Sequence, residues 1–324
     1  MRRLFICAFL MTAASYTGMC SHPEDSIVIV FWNLENFFDH IDQGKGDSDR
    51  EFSFSGARHW TRGRFYSKCD AIAKSLLWMK DRYGRIPDII GVAEVENKEV
   101  LHKLVNHTLL RKFDYGMVHQ DSHDKRGIDV AMLYRKASFR LLSSSFIQPE
   151  CNGKKMDTRD ILHAHLVFCN GSRFNIMVNH HPSRYGGSVK SEERRDASMN
   201  SLKEICDSAI LSDDSSSLVV MGDFNDTPDA ERFHMLDGIL VNKAMPLLQR
   251  HEGTIRFRGK WELIDMFLVS SFLDRHSYME IVKIPFLMTY DRTFPGEKPL
   301  RTYTGPVYTG GVSDHCPIVL VLKN

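Results

Sequence analysis

The sequence predicts a strand-rich α/β fold, and three observations carry that expectation. Short apolar runs recur along the chain, as in Ile27-Val28-Ile29-Val30 and Leu218-Val219-Val220-Met221, bounded by turn residues as buried strands are. Longer stretches from Arg64 to Tyr83, Lys98 to Phe113 and Ser191 to Leu211 read as helices; in the first, Ile72, Leu76, Leu77 and Met79 form the inward face. No internal repeat, low-complexity tract or linker divides the chain, so one domain over residues 24–324 is expected.

The 324 residues suffice for a full core, and 43% hydrophobic with 26% charged residues is an ordinary globular composition. A net charge of +1 removes any case from bulk electrostatics for a nucleic-acid partner and leaves the substrate to be read from the site. Residues 1–22 start basic at Arg2-Arg3, continue apolar from Leu4 and reach small residues at Ala13-Ala14, the order of a signal peptide. The apolar run falls below the roughly 18 residues of a spanning helix, and no later segment reaches that length. Export to the periplasm, cell surface or medium is expected, as a monomer. Lipid anchoring at Cys20 is not favoured, because Met19 stands where a small residue is usual. Cys69, Cys151, Cys169, Cys206 and Cys316 are scattered without metal-ligand spacing, and buried free thiols are their simplest reading.

The first strand, from Ile27, ends in Asn33, Glu35, Asn36 and Asp39, and residues 40–60 follow as a long polar loop. Gly84 and Pro87 stop the first helix, and Asp88 to Val95 is a strand ending in Glu94 and Glu96. Glu96 is explained by its place at the positive end of the next helix, whereas Glu94 is still on the strand. Strands are expected over residues 116–119, 128–134, 139–147, 161–168 and 173–178. Asp129 lies inside one of them, where a lone carboxylate is costly, so a partner is expected, with histidine a candidate. His163 and His165 share a face and read as packing or surface, for want of a third ligand.

Asn179-His180-His181 follows its strand directly. The run Leu218 to Met221 leads to Gly222-Asp223-Phe224-Asn225-Asp226-Thr227-Pro228, where strand alternation would point Asp223 and Asn225 to one side and Phe224 into the core. Turn formation before Pro228 accounts for Asp226. Residues 235–260 are weakly patterned. Trp261 to Ser270 reads as one strand interrupted by Asp265, residues 285–311 as an irregular loop, and Ser313-Asp314-His315 precedes a terminal strand.

Six strand ends therefore supply Asn33, Glu94, His180, Asp223 with Asn225, Asp265, and Asp314 with His315. These are hard oxygen donors with two histidines and no thiolate cluster, a set suited to Mg²⁺ or Mn²⁺, without excluding zinc. A divalent ion on Glu94 would polarise a phosphoryl oxygen while a histidine handles the proton of an attacking water.

The order Asn-Leu-Glu at 33–35, Ala-Glu-Val at 93–95, Asn-His at 179–180, Gly-Asp-Phe-Asn at 222–225, Asp265 and Ser-Asp-His-Cys-Pro at 313–317 resembles the endonuclease/exonuclease/phosphatase (DNase I-like) superfamily. The resemblance covers about residues 27–322 and implies a four-layered α-β-β-α sandwich of two mixed sheets flanked by helices. It further implies Glu94 as the principal metal carboxylate with Asn33 beside it and Asp314 as a further ligand. Asp223 and Asn225 would orient the water and the phosphate, His315 would be the catalytic histidine fixed by Asp265, and His180 would act on the leaving group or phosphate. Ala93 departs from the glutamine common there, and Asp129 lies near the strand that gives DNase-type members a carboxylate partner for their histidine. Arg126, Arg184 and Lys68 are candidates for phosphate contact, with surface solvation the simpler role for each.

Three functions are compatible with this set. The first is a metal-dependent phosphodiesterase of nuclease-like action, and the second a phospholipid, sphingomyelin or inositol-phosphate head-group hydrolase on the same fold. The third, an inactive phosphate-binding protein, is disfavoured because each expected catalytic position is filled. Aromatics of residues 40–60 and 285–311, among them Tyr290 and Phe294, are candidates for stacking bases or meeting lipid.

Overall fold

The layering starts in the first strand. Ile27, Ile29 and Phe31 enter one core, while Val28, Val30 and Trp32 enter another. A strand apolar on both faces has to be covered on both, so its sheet lies inside the molecule. The computed structural model describes residues 26–184, 188–212 and 217–323; the signal-peptide and Cys20 expectations lie outside them.

Two six-stranded sheets form the centre. Their strands in chain order are β1 (Ile27–Phe37), β2 (Ile89–Val95), β3 (Tyr115–His119), β4 (Asp129–Arg135), β5 (Phe139–Ile147), β6 (Ile161–Phe168), β7 (Arg173–His180), β8 (Ser217–Asp223), β9 (Leu240–Asn242), β10 (Asp265–Ser270), β11 (Ser277–Ile281) and β12 (Ile318–Leu322). The first sheet runs β11-β12-β1-β2-β4-β3 and the second β9-β10-β8-β7-β6-β5. Each is mixed, with β1 parallel to β2, and β8 parallel to β7. The inward faces meet in a core that includes Phe31, Met132, Met221 and Phe267.

Helices α1 (Arg62–Tyr83) and α2 (Lys98–His107) cover the first sheet, and Phe65, Ile72, Leu76 and Met79 pack with Val30 and Trp32. Thr61 accepts the Arg64 N–H to start α1, and Gly84 ends it in left-handed conformation. Helix α3 (Ser188–Ser212) supplies Met199, Leu202 and Cys206 to the second sheet. The arrangement is the expected α-β-β-α sandwich. Truncating one wholly buried ring such as Phe31 to alanine is a change that costs about 3–5 kcal/mol.

Several local expectations change. The helix from Lys98 stops at His107, because Thr108 turns extended and caps a separate 3₁₀ turn, Leu109–Phe113. The strand expected from Trp261 breaks at Leu263 and Ile264. Lys260–Glu262 pairs with Ile255–Phe257 in a hairpin, and Asp265 opens β10 instead of interrupting a strand. Residues 40–60 hold a short helix, Asp47–Glu51, and residues 285–311 hold two small hairpins. Cys69, Cys206 and Cys316 are buried free thiols and Cys151 is a partly exposed one, whereas Cys169 is disulfide-bonded.

Register brings the strand ends level. Asp223 at the end of β8 pairs with His180 on β7 and with Asp265 on β10. Gly222 permits that approach, since a Cβ there would stand 2.4 Å from the Asn179 carbonyl oxygen. In the first sheet Asn33 pairs with Ala93, after which both strands lose register before Phe37 and Val95.

Candidate active site

The buried half of the site is built on the second sheet. His315 Nδ1 lies 2.8 Å from Asp265 Oδ2, and its Nε2 faces Asp223 Oδ2 at 3.9 Å. Asp223 Oδ2 also accepts the Asn33 amide at 3.1 Å and lies 3.6 Å from His180 Nε2. The first sheet anchors the histidine loop: Trp32 Nε1 donates to the His315 carbonyl, and Ser313 Oγ donates to the Asn33 carbonyl while accepting the His315 N–H. Ser313 thus ties the histidine loop to the end of β1.

Charge in this half follows from burial and neighbours. Burial, followed by repulsion from Asp265, pushes the Asp223 carboxyl up to about 7. Burial alone would lower His315, but the charge and hydrogen bond of Asp265 outweigh it and hold the imidazole well above its ordinary value. His180 is driven well below that value by burial, then by Arg159 and Arg126.

The open half lies where the first sheet loses register. Glu35, Asn36 and Glu94 have positive φ of 48°, 52° and 61°, so bulges in β1 and β2 re-aim their side chains. Glu94 Oε2 accepts the Asn36 N–H at 2.8 Å, and its Oε1 lies 3.9 Å from Arg126 Nη1. Glu35 is buried and takes Arg301 Nε at 2.7 Å and the Thr302 N–H at 3.1 Å. Arg301 Nη2 reaches Asp314 Oδ2 at 3.1 Å. Burial and Asp314 raise the Glu35 carboxyl to about 7. Glu94, Glu35 and Asp314 act together on Lys68 and Arg301, so three carboxylates share this corner. A cleft of about 1120 Å³, lined in part by Arg126, Arg159, Arg301 and Asp314, opens beside it.

The donor chemistry fits a divalent cation. Asp314, lining the cleft, and Glu94, behind the cleft residue Arg126, offer hard carboxylate oxygens, the kind that Mg²⁺ and Mn²⁺ take. Asp223, Asp265 and His315 also offer atoms within 4.8 Å of one another, as do His119, Asp121 and Asp129. In the first of these groups Asp265 is committed to His315 Nδ1, and in the second Asp129 is committed to His119 at 3.1 Å. The cleft carboxylates are the better match for a hard ion.

A family model for the endonuclease/exonuclease/phosphatase family matches residues 28–324, nearly the whole chain. The chain belongs to the endonuclease/exonuclease/phosphatase family. Its fold is similar to a Bacteroides thetaiotaomicron protein of that family at TM-score 0.60 and 16% identity, over 93% of this chain and 98% of the other. The human Nocturnin catalytic domain, solved with bound sulfate, follows at 0.59 and 17%, covering 92% and 95%. A B. thetaiotaomicron mannosyl-6-phosphatase gives 0.57 and 16%, over 91% and 99%. No curated protein matches the chain.

Within this endonuclease/exonuclease/phosphatase site some sequence expectations change. Asp223 and Asn225 are not brought together by strand alternation. β8 ends at Asp223, Asn225 is left-handed at φ 51°, and its N–H donates to Asp223 Oδ1 in a turn. The Asn225 amide donates to the His181 carbonyl. Phe224 does enter the core, against His181 and Phe233. Asn33 uses its oxygen to accept the Glu35 N–H and its nitrogen toward Asp223, so it bridges the two halves. Lys68 is buried, not solvated, and donates to the Glu35 carbonyl and Thr302 Oγ1; burial, opposed by Glu35, lowers it to about 8. Glu96 is likewise buried, accepting the Asp39 N–H, and burial raises it to about 8; Asn97 is the residue that caps α2.

Asp129 has the expected histidine partner in His119 on the adjacent strand. Asp226 is an arginine hub, meeting Arg232, Arg195 and Arg184 as well as the turn. Arg184 also donates to the Asn225 carbonyl, and Arg126 stays half-exposed at the cleft. Sequence reasoning missed Arg159, whose buried guanidinium donates to the carbonyls of His180 and His181 and pairs with Asp124 at 2.9 Å. No spacing signal marks it. Glu35 stood in the polar strand end and could have been found there. Arg301 sits in a segment read only as loop.

Proposed function

We propose that this protein is an exported, divalent-metal-dependent phosphodiesterase of nuclease-like action. The observation that carries the reading is Asp223, held in register between His180 and Asp265 and facing His315, across from the carboxylates Glu94 and Asp314. A carboxyl near neutrality next to an imidazole kept protonated is an acid–base pair poised for one water. Asp223 takes the proton of the attacking water, Asn225 and Asn33 orient it, and His315 donates to a phosphoryl oxygen. Asp265 fixes the tautomer and position of His315. His180 stands at the leaving group, and Arg126 and Arg184 meet flanking phosphate. Mg²⁺ or Mn²⁺ on Glu94 and Asp314, with Asn33 close by, would polarise the phosphoryl oxygen.

The sulfate in the Nocturnin structure and the single-stranded DNA product bound by a similar D. rerio TDP2 support a phosphate oxyanion and a nucleic-acid strand as ligands on this fold. The basic, apolar, then small-residue order of residues 1–22 supports export. A second reading, a phospholipid or inositol-phosphate head-group hydrolase, is favoured by exposed Phe257 and Tyr290 on hairpins beside the histidine loop, where Ile255 bridges to His315. Turnover of single- and double-stranded DNA, RNA, sphingomyelin and inositol phosphates, with Mg²⁺ and with chelator, tests both. Metal-dependent cleavage of nucleic acid is expected. Lipid turnover without it would replace the first reading by the second, and no turnover of any phosphoester, a chromogenic diester included, would leave a phosphate-binding protein.

A further inference from the structure

Arg301 is built into the open half more firmly than a surface arginine needs to be. Its carbonyl accepts the Gly311 N–H and Thr309 Oγ1, the neighbouring Leu300 carbonyl accepts the Val312 N–H, and Thr302 donates to Glu35 and Val312. The two chain segments meet at Gly311, where a Cβ would lie 1.8 Å from the Leu300 carbonyl oxygen. The backbone under Arg301 is therefore held on both sides.

The guanidinium is held by a buried carboxylate on one edge and by a part-exposed one on the other. Nε and Nη2 both lie 2.7 Å from Oε1 of Glu35, whose side chain is 7% exposed. Arg301 itself is 49% exposed, and it lines both the large cleft and a pocket of about 160 Å³ beside Asn36 and Arg58. At the other edge Nη2 touches Asp314, and Nη1 has no partner among the described residues. An ion pair this exposed contributes little to stability, so Asp314 does not explain why the fork is aimed here. The geometry suits a bidentate grip on an oxyanion, which an arginine fork gives and a lysine ammonium does not.

We propose that Arg301 is a phosphate clamp: Glu35 fixes the Nε–Nη2 edge, and the Nη1–Nη2 edge holds two oxygens of the substrate's phosphoryl group, which takes the place of Asp314 on Nη2. Arg301 is then a binding residue and Glu35 a positioning residue acting through it. The proposal rests on the phosphoesterase reading for the identity of the ligand, but it makes a binding prediction of its own.

The test is titration of inorganic phosphate into the whole protein with chelator present, followed by calorimetry. Arg301→Ala should weaken phosphate binding about tenfold, and Arg301→Lys nearly as much despite its retained charge. Glu35→Gln should weaken it severalfold with Arg301 intact. Unchanged affinity in Arg301→Ala, or full recovery in Arg301→Lys, would overturn the clamp. If Arg301→Ala does not fold, the lysine variant carries the test. A merely structural arginine would lower the melting temperature and leave phosphate binding alone. On any phosphoester that the wild type turns over, Arg301→Ala should raise KM about tenfold with kcat within about threefold. Failure of every substrate would remove the phosphoesterase reading and leave the chelator titration to decide Arg301.

Discussion

The two halves of the site solve opposite problems. Around Asp223, Asp265 and His315 the groups are buried, bonded to one another and fixed by strand register. Around Glu94, Asp314 and Arg301 they stand at bulges and loops, partly exposed, with charges balanced by neighbours that a ligand can replace. The buried half stores a proton where solvent cannot equalise it, and the open half keeps oxygens available to something that arrives from solution. Removing a residue should therefore cost stability and chemistry together in the first half, and ligand response alone in the second.

The largest test of that contrast is His315→Ala. It should lower kcat about 10²–10⁴-fold and also cost about 3–5 kcal/mol in urea unfolding, because Asp265 is left buried without its partner. Loss of activity with unchanged stability would break the contrast. Next, Asp265→Asn removes the charge that raises both His315 and Asp223. Both pKa values should fall, so the kcat/KM profile should lose height and move as a whole to lower pH. Movement of one limb alone would show that the two groups do not share Asp265.

Glu94→Gln probes the open half. Mg²⁺ should raise the melting temperature of the wild type but not of the variant, while their metal-free stabilities agree within about 1 kcal/mol. An equal Mg²⁺ response would move the cation elsewhere, with the Asp223, Asp265 and His315 group the first alternative.

The smallest effect belongs to His181, which burial and then Arg159 hold down to about 3. Its folded pKa lies below the unfolded value of about 6.5, so the unfolded chain takes up the proton first. The stability contribution is complete above pH 6.5 and is lost as pH falls toward 3, amounting to about 2 kcal/mol by pH 5. Glu35 and Asp223, raised to about 7, give a slope of opposite sign over the same range. The difference between wild type and His181→Phe isolates the histidine, and equal slopes in denaturant unfolding would count against its burial as a neutral ring.

The buried half was the more readable in sequence. Its residues lie at the ends of apolar strands, and an apolar run that stops in Asp, Asn or His is visible without coordinates. Strands and helices were legible for the same reason, and the four layers came with the family resemblance; the continuous apolar run Ile27, Val28, Ile29, Val30, covered on both faces, agrees with them. What stayed hidden is set by backbone shape and distance. No pattern says that Asn225 turns left-handed, that Trp261 and Asp265 lie on different strands, or that Lys68 on a helix reaches the Glu35 carbonyl. Arg159 and Arg301 come from segments with no periodicity, and their importance exists only once the fold closes.

Left-handed backbone at Glu35, Asn36, Glu94 and Asn225 sets a ceiling on how stable an active form of this protein can be. Such a conformation costs a residue with a Cβ of order 1–3 kcal/mol, and glycine would relieve it at each position. Glycine would also delete the carboxylate or amide that the position exists to present. Selection for heat resistance alone would thus reward changes that dismantle the chemistry first, and a thermostable variant found without an activity screen should be sequenced at these four codons before anything else.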